Sequence, residues 1–257
     1  SEWRAQWSNE GRRIAFLSYR KQAGEEEEEE EATTQIWMMS AQGGEAKRLT
    51  ALPQGVEDFI WSPDGTRLAL ILLDPEFPPG TPKPKHPPPI VTSRYQFKED
   101  GADYLGERRR HLYLLEIASG ELLQLTSGAH DELLPAWSPD GKHITYVSKR
   151  GTDPDRHLNF DLYLIEPKAG AQERPLTTFP GSDLDPTWET RPAWSPDSTR
   201  IAYLRSGENQ WIYYAPWQLA VVDVASGRQT IPADIDRCFY KPRWSPDGKS
   251  IYALIEQ

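Results

Sequence analysis

"WSPDGKHITYVS", residues 137–148, decides how the whole chain is read. Ser138 and Pro139 suit the first two positions of a type I turn, with the Pro ring presetting φ near −65°. Asp140 can accept from nearby backbone N–H groups, and Gly141 takes the positive φ that closes a three-residue hairpin loop. Trp137, just before the turn, is expected to anchor the hairpin in the core. His143–Ser148 then reads as a strand buried on both faces.

The same phrase recurs. Trp7-Ser-Asn-Glu-Gly, Trp61-Ser-Pro-Asp-Gly, Trp194-Ser-Pro-Asp-Ser and Trp244-Ser-Pro-Asp-Gly give intervals of 54, 76, 57 and 50 residues along the series. Periods of this size belong to propellers or solenoids. Equivalent strands follow at Arg13–Ser18, Arg67–Leu72 and Arg200–Leu204. Third strands are predicted at Gln35–Met39, His111–Leu115, Asp161–Ile165 and Gln218–Val222, each followed by a Gly-containing turn and a short fourth strand. Three of the fourth strands close on Leu-Thr, at 49–50, 125–126 and 176–177. Ser198 stands where the other copies have Gly, a substitution expected to cost up to about 1 kcal/mol at positive φ.

Four strands per unit, without helical periodicity between them, describe a β-propeller blade. The fold class is therefore all-β: a β-propeller of four-stranded blades, with four complete blades and half of a fifth. The expected blades span about 2–50, 57–126, 133–177, 190–231 and 240–257, within one partial propeller domain covering 1–257. Such a set is expected to form an incomplete ring. The break inside the fifth blade is expected to be a boundary within a longer protein, with roughly one further blade before Ser1 and one or two after Gln257.

Composition narrows the function classes. The net charge of −10 falls to −3 once the run Glu25–Glu31 is set aside, so no nucleic-acid partner is expected. No apolar run reaches the roughly 18–20 residues of a membrane span. SEWRAQW, at the start, has neither the basic nor the apolar region of a signal peptide. The single cysteine, Cys238, excludes a disulfide framework. A cytoplasmic location is expected.

The long second interval comes from an insertion at residues 74–110. Its stretch 75–89 holds eight prolines and reads as an exposed, semi-rigid excursion. The Glu run reads as a solvated loop. Arg108–Arg110 reads either as an exposed strand entrance or as a grip for a carboxylate, which the guanidinium fork matches. Asp153/Asp155 and Asp183/Asp185 read as solvated turns rather than a Ca²⁺ site. No Gly-x-Ser-x-Gly elbow, His-Glu-x-x-His, paired Cys or phosphate-binding loop occurs, and the five His show no metal-ligand spacing. No catalytic residue, metal or cofactor is expected in this chain.

The W-S-P-D-G repeat with Leu-Thr blade ends resembles the PD40 propeller repeats of TolB and of the prolyl oligopeptidase (S9) family. The insertion, "PPPIVTSRYQFKEDGADYLGERRRHLYLLEIASGE" at 87–121, is similar to the propellers of the acylaminoacyl-peptidase branch. The residues carrying that similarity are Arg94, Phe97, Lys98, Asp100, Gly101, Tyr104, Leu105 and His111–Tyr113. The resemblance implies a serine peptidase of acylaminoacyl- or dipeptidyl-peptidase type, whose propeller gates short peptides for a C-terminal α/β-hydrolase domain not present in this chain. Arg94, Tyr95, Lys98, Tyr104, Arg108, Arg109 and Arg110 are then the candidates for lining the channel or facing that domain. The alternative is a TolB-like, non-enzymatic interaction scaffold, and homo-oligomerisation stays open.

Overall fold

The computed structural model describes residues 2–21, 33–77, 81, 84, 86, 89–99, 103–188, 190–211 and 214–256. Glu25–Glu31, much of the proline-rich stretch, Asp100 and Gly101 lie outside them. The chain divides into two compact units, Ser1–Gln124 and Leu125–Gln257.

The first unit holds two antiparallel sheets. One is the meander β1 (Glu2–Trp7), β2 (Arg13–Ser18), β3 (Gln35–Ser40) and β4 (Lys47–Arg48). The other begins with β5 (Asp58–Trp61) and β6 (Arg67–Leu73). A separate hairpin of β7 (Lys98–Glu99) and β8 (Asp103–Tyr104) intervenes. The sheet is then completed by β9 (Arg110–Glu116) and β10 (Leu122–Gln124).

The second unit repeats the plan. β11 (Glu132–Trp137), β12 (Ile144–Ser148), β13 (Asp161–Ile165) and β14 (Arg174–Pro175) form one sheet. In the next, β15 (Gly181–Asp183) and β16 (Ala193–Trp194) both pair with β17 (Arg200–Glu208), followed by β18 (Gln218–Asp223) and β19 (Gln229–Thr230). The first strand of this blade is thus split, and it starts before the expected boundary at 190. A 3₁₀ turn at Pro186–Trp188 separates its two parts. β20 (Phe239–Trp244) and β21 (Ile251–Ile255) form the final hairpin.

Every W-S-P-D-G copy builds the expected turn. The Gly N–H donates to the Ser carbonyl, at 3.0 Å for Gly65 and 2.9 Å for Gly141 and Gly248. The Ser hydroxyl donates to the Asp carboxylate at 2.6–2.7 Å in the four Asp-containing copies. It also accepts the N–H five residues on, as Arg67 to Ser62 and Arg200 to Ser195 at 2.9 Å. Ser198 does sit at positive φ, 60°. Its hydroxyl accepts the Asp140 N–H of the preceding blade at 3.1 Å, a bond that Gly could not make.

The Leu-Thr ends have an equally definite task. Thr50 accepts the Ile36 N–H at 2.9 Å while donating to Gln35 at 2.8 Å. Thr177 accepts the Leu162 N–H at 2.9 Å. Each hydroxyl therefore latches the outermost strand to the start of the third, and Thr50, Thr126 and Thr177 are all buried.

The second strands are buried on both faces, as their apolar runs imply. Leu17, Ile36, Phe59, Leu68, Leu70 and Leu72 centre the first unit's core. Val147, Leu162, Ile201, Tyr203 and Val222 belong to the main core of the second. Truncating any one of these to Ala costs about 2–5 kcal/mol.

Two features depart from the sequence reading. Trp61, Trp137 and Trp194 are buried as expected, but Trp7 is 59% exposed. Trp61, Trp194 and Trp244 are each covered from the preceding repeat. Arg13 stacks over Trp61 at 5.0 Å, Arg200 over Trp244 at 4.5 Å, and Trp194 Nε1 donates to Ala136 at 3.2 Å.

The second departure is backbone strain. Arg4, Leu134, Leu184 and Lys241 adopt positive φ of 49–79° in or beside first strands. The register shifts at three of these places, between Trp3 and Gln6, Leu133 and Ala136, and Tyr240 and Arg243. A bulge re-aims each strand there, at about 1–2 kcal/mol per left-handed side chain.

Two outcomes follow from the turns. Ser198→Ala keeps the strained φ and loses the Asp140 bond, so urea unfolding should show a loss of about 0.5–1.5 kcal/mol. Ser198→Gly exchanges that bond for relief of strain and should be nearly neutral; equal loss in both variants would contradict this assignment. The second outcome concerns pH. Hydrogen bonds from Ser195 and Thr199 hold Asp197 down at about 2, from an ordinary value of 3.8. Asp64, Asp140 and Asp247 are lowered too, with hydrogen bonds from the turn outweighing desolvation. A depressed carboxylate stabilises the fold above its unfolded value and loses that contribution as pH falls through its folded value. Melting temperature should therefore drop between pH 4 and pH 2, less steeply in Asp197→Asn.

Candidate functional site

The insertion between β6 and β9 carries six of the seven residues picked out from the sequence, and the seventh, Arg110, opens β9. Its outer part is the β7–β8 hairpin, paired Lys98 to Tyr104 and Glu99 to Asp103. Leu105 N–H extends the ladder to the Phe97 carbonyl at 2.9 Å. Tyr95, Phe97 and Tyr104 are exposed, as are Ile90 and Val91 just before them. Lys98 Nζ lies 5.7 Å from the Tyr104 ring centroid. Arg94 reaches back to the Gly106 carbonyl at 3.4 Å. The hairpin thus presents aromatic rings beside basic side chains.

The neck of the insertion is tied at Asp74. Its N–H donates to the Arg109 carbonyl at 2.7 Å, and its Oδ2 accepts the Arg109 N–H at 2.9 Å. Arg108 Nε donates to the Asp74 carbonyl at 2.6 Å. His111 Nε2 approaches Asp74 Oδ1 at 3.6 Å. Arg110 pairs with Glu57 at 2.5 Å. The reading of Arg108–Arg110 as an exposed strand entrance is corrected: Arg109 is buried and Arg108 and Arg110 are half-buried, with the segment held down by backbone and side-chain bonds to Asp74 and Glu57. Asp74 itself was missed; its only signal was an acid directly after an apolar strand.

The acidic pairs divide. Asp153 pairs with Arg156 at 2.7 Å, and Asp185 accepts the Thr187 N–H at 2.9 Å, as turn residues do. Asp183 is no solvated turn. It lies in β15 with 0% exposure; neither carboxylate oxygen makes a hydrogen bond of normal geometry among the described residues, although the Thr177 hydroxyl and the Arg205 charge are near enough to act on it. Burial pushes Asp183 up to about 7 against the Thr177 hydroxyl and the Arg205 charge, with the negative Asp161 adding to the rise. Burial likewise pushes Asp161 up to about 6, against a hydrogen bond from Thr177. No cluster of three or more His, Cys, Asp or Glu side chains placed to hold a metal occurs among the described residues. No described helix is long and apolar enough to cross a membrane.

No protein-family model matches the chain. The uncharacterized peptidase YuxL of Bacillus subtilis is 31% identical over 163 residues, covering 62% of this chain and 23% of its own length. Dipeptidyl-peptidase 5 of Porphyromonas gingivalis is 32% identical over 122 residues, covering 46% and 17%. The chain thus matches less than a quarter of the length of either relative. Among solved structures, Pyrococcus horikoshii acylaminoacyl peptidase superposes with a TM-score of 0.68 at 15% identity, covering 99% of this chain and 35% of that one. TolB of Acinetobacter baumannii gives 0.59 at 15% identity, covering 98% and 48%. These superpositions speak for the propeller fold. The chain is thus propeller-like in fold, and its sequence is similar to part of two proteins named as peptidases.

Proposed function

We propose that this propeller docks short peptides and restricts their access to an α/β-hydrolase domain of the same protein, which then acts as a serine peptidase. The observation that carries the docking role is the pinned insertion: a hairpin with exposed Tyr95, Phe97 and Tyr104 beside Lys98, on a neck fixed by Asp74. Aromatic faces and basic groups on a rigid mount suit either a peptide backbone with a free carboxylate or the face of a partner domain. The names of the relatives support the peptidase reading. Arg94, Tyr95, Lys98 and Tyr104 act at the docking surface. Arg108, Arg109 and Arg110 stand nearer the neck, where Arg108 and Arg109 also hold the hairpin in place. The one cysteine fits a reducing compartment, so we assign the protein to the cytoplasm.

The test uses the full-length protein with blocked and unblocked aminoacyl chromogenic substrates. Hydrolysis is expected; its absence would overturn the peptidase reading and leave the TolB-like scaffold. Arg94→Ala and Lys98→Ala should raise KM for peptides with a free C-terminus more than for their amides. Equal losses for both would remove the carboxylate role.

The neck gives a separate outcome. Asp74→Ala removes the carboxylate side of the clasp, so trypsin cleavage at Arg94, Lys98 or Arg108 should rise several-fold while the core melts cooperatively. Unchanged cleavage would mean that the insertion is held by something other than Asp74.

A further inference from the structure

Three of the blades place a buried acid at or near the start of the first strand: Asp58, Glu132 and Asp183. Two are balanced by an arginine. Arg4 lies 3.5 Å from Asp58. Arg150 lies 3.0 Å from Glu132, whose other oxygen accepts from Thr126 at 2.7 Å. The third acid has the same upstream threonine, since Thr177 precedes Asp183 by six residues as Thr126 precedes Glu132. Its arginine, Arg205, acts on it through charge alone, with no ion pair formed. Arg205, opposite Asp183 in the register, lies instead over the Phe179 ring at 3.4 Å and near Gln229 at 3.4 Å.

A second carboxylate is close enough for its charge to act on Asp183. Asp161, half-buried at the start of β13, lies 3.3 Å from the Thr177 hydroxyl, and its charge acts on Asp183. Asp183 is drawn to the same place by its backbone, whose N–H donates to the Phe160 carbonyl at 2.7 Å. The surroundings therefore offer two carboxylates, a hydroxyl and a backbone carbonyl. All are oxygen donors. Keeping Asp183 ionised at 0% exposure costs several kcal/mol, a cost that either a proton or a bound cation removes.

We propose that Asp161, Asp183 and Thr177 form a site for a hard divalent cation, calcium in preference to magnesium. Two carboxylates match a divalent charge. Calcium accepts irregular sets of carboxylate, carbonyl and water oxygens, whereas magnesium demands a near-ideal octahedron. Asp161 is only half-buried, which leaves the ion a path from solvent. The site ties β13 to β15 across neighbouring blades, doing for this pair what Arg150 does beside Glu132.

The test is metal binding by the full-length protein after exhaustive chelation. Equilibrium dialysis should find one calcium per chain that Asp183→Asn lacks, with half-saturation on the order of 0.1–1 mM, as befits so few charged ligands. Calcium should raise the melting temperature, and magnesium or sodium at matched ionic strength should raise it less. Asp140→Asn, on an exposed turn, should keep the full response. If Asp183→Asn does not fold, Asp161→Asn serves, with calcium binding at least about tenfold weaker. Equal calcium uptake by wild type and variant, or an equal melting shift with every salt, would overturn the site. Peptide hydrolysis is not among these readouts, so the peptidase reading stands or falls separately.

Discussion

A serine hydroxyl sets the geometry of each hairpin that opens a blade. In one copy after another it accepts the backbone N–H five residues on and donates to the aspartate two residues on. Those bonds satisfy the polar groups of a tight turn at the point where the chain enters a strand buried on both faces. Without them the turn's N–H groups would compete for water beside the core. The turn also fixes register: Trp137 faces Ile144 and Trp194 faces Ile201, so the tryptophan and the apolar second strand share one pleat. A slip of one residue would reverse every side chain of that strand.

The same turns join neighbouring blades within each unit. Asn9 donates to the Ser62 and Pro63 carbonyls at 3.2 and 2.9 Å, and Arg13 donates to the Gly65 carbonyl at 2.8 Å. Arg200 donates to Gly248 at 3.0 Å in the second unit. The residue six positions after the tryptophan thus bonds the next copy's turn and covers its ring. This explains two substitutions that look like decay in the sequence alone. Asn9 replaces Pro and gains an amide that reaches the next turn. Ser198 replaces Gly and gains a hydroxyl that the preceding turn can use. Each gives up local turn preference for a bond between blades.

Much of this was legible from W-S-P-D-G and its spacing. Strand order, turn geometry and the double-sided burial of second strands all follow from residue types with narrow backbone preferences. The bulges were not legible. Arg4, Leu134, Leu184 and Lys241 lack the glycine that would announce a left-handed residue, because the neighbouring pairings, not local propensity, impose the conformation. The split first strand was hidden for a similar reason: Pro186-Thr-Trp188 and Pro192-Ala-Trp194 echo each other, and only pairing with β17 shows that both flanks belong to one blade. Of the candidate site, the sequence located the insertion and its basic and aromatic residues. It did not separate Arg94 and Lys98, on the outer hairpin, from Arg108 and Arg109, whose donors are spent on the neck.

Asp183 shows why acidic pairs are hard to classify from spacing. Asp183 and Asp185 are two residues apart, yet one is fully buried and the other caps an exposed turn. Strand alternation alone would put them on one face. The left-handed Leu184 between them breaks that alternation and sends the backbone from β15 into the 3₁₀ turn. A single strained residue therefore separates a solvated aspartate from one that must find its counter-charge inside the fold. The strain and the buried charge are adjacent costs, about 1–2 kcal/mol for the backbone and more for an unpaired carboxylate. A fold that carries both at one strand gains from a ligand that bonds there, and the neighbouring blade, with Arg150 at Glu132, shows the form that compensation takes when the chain supplies it.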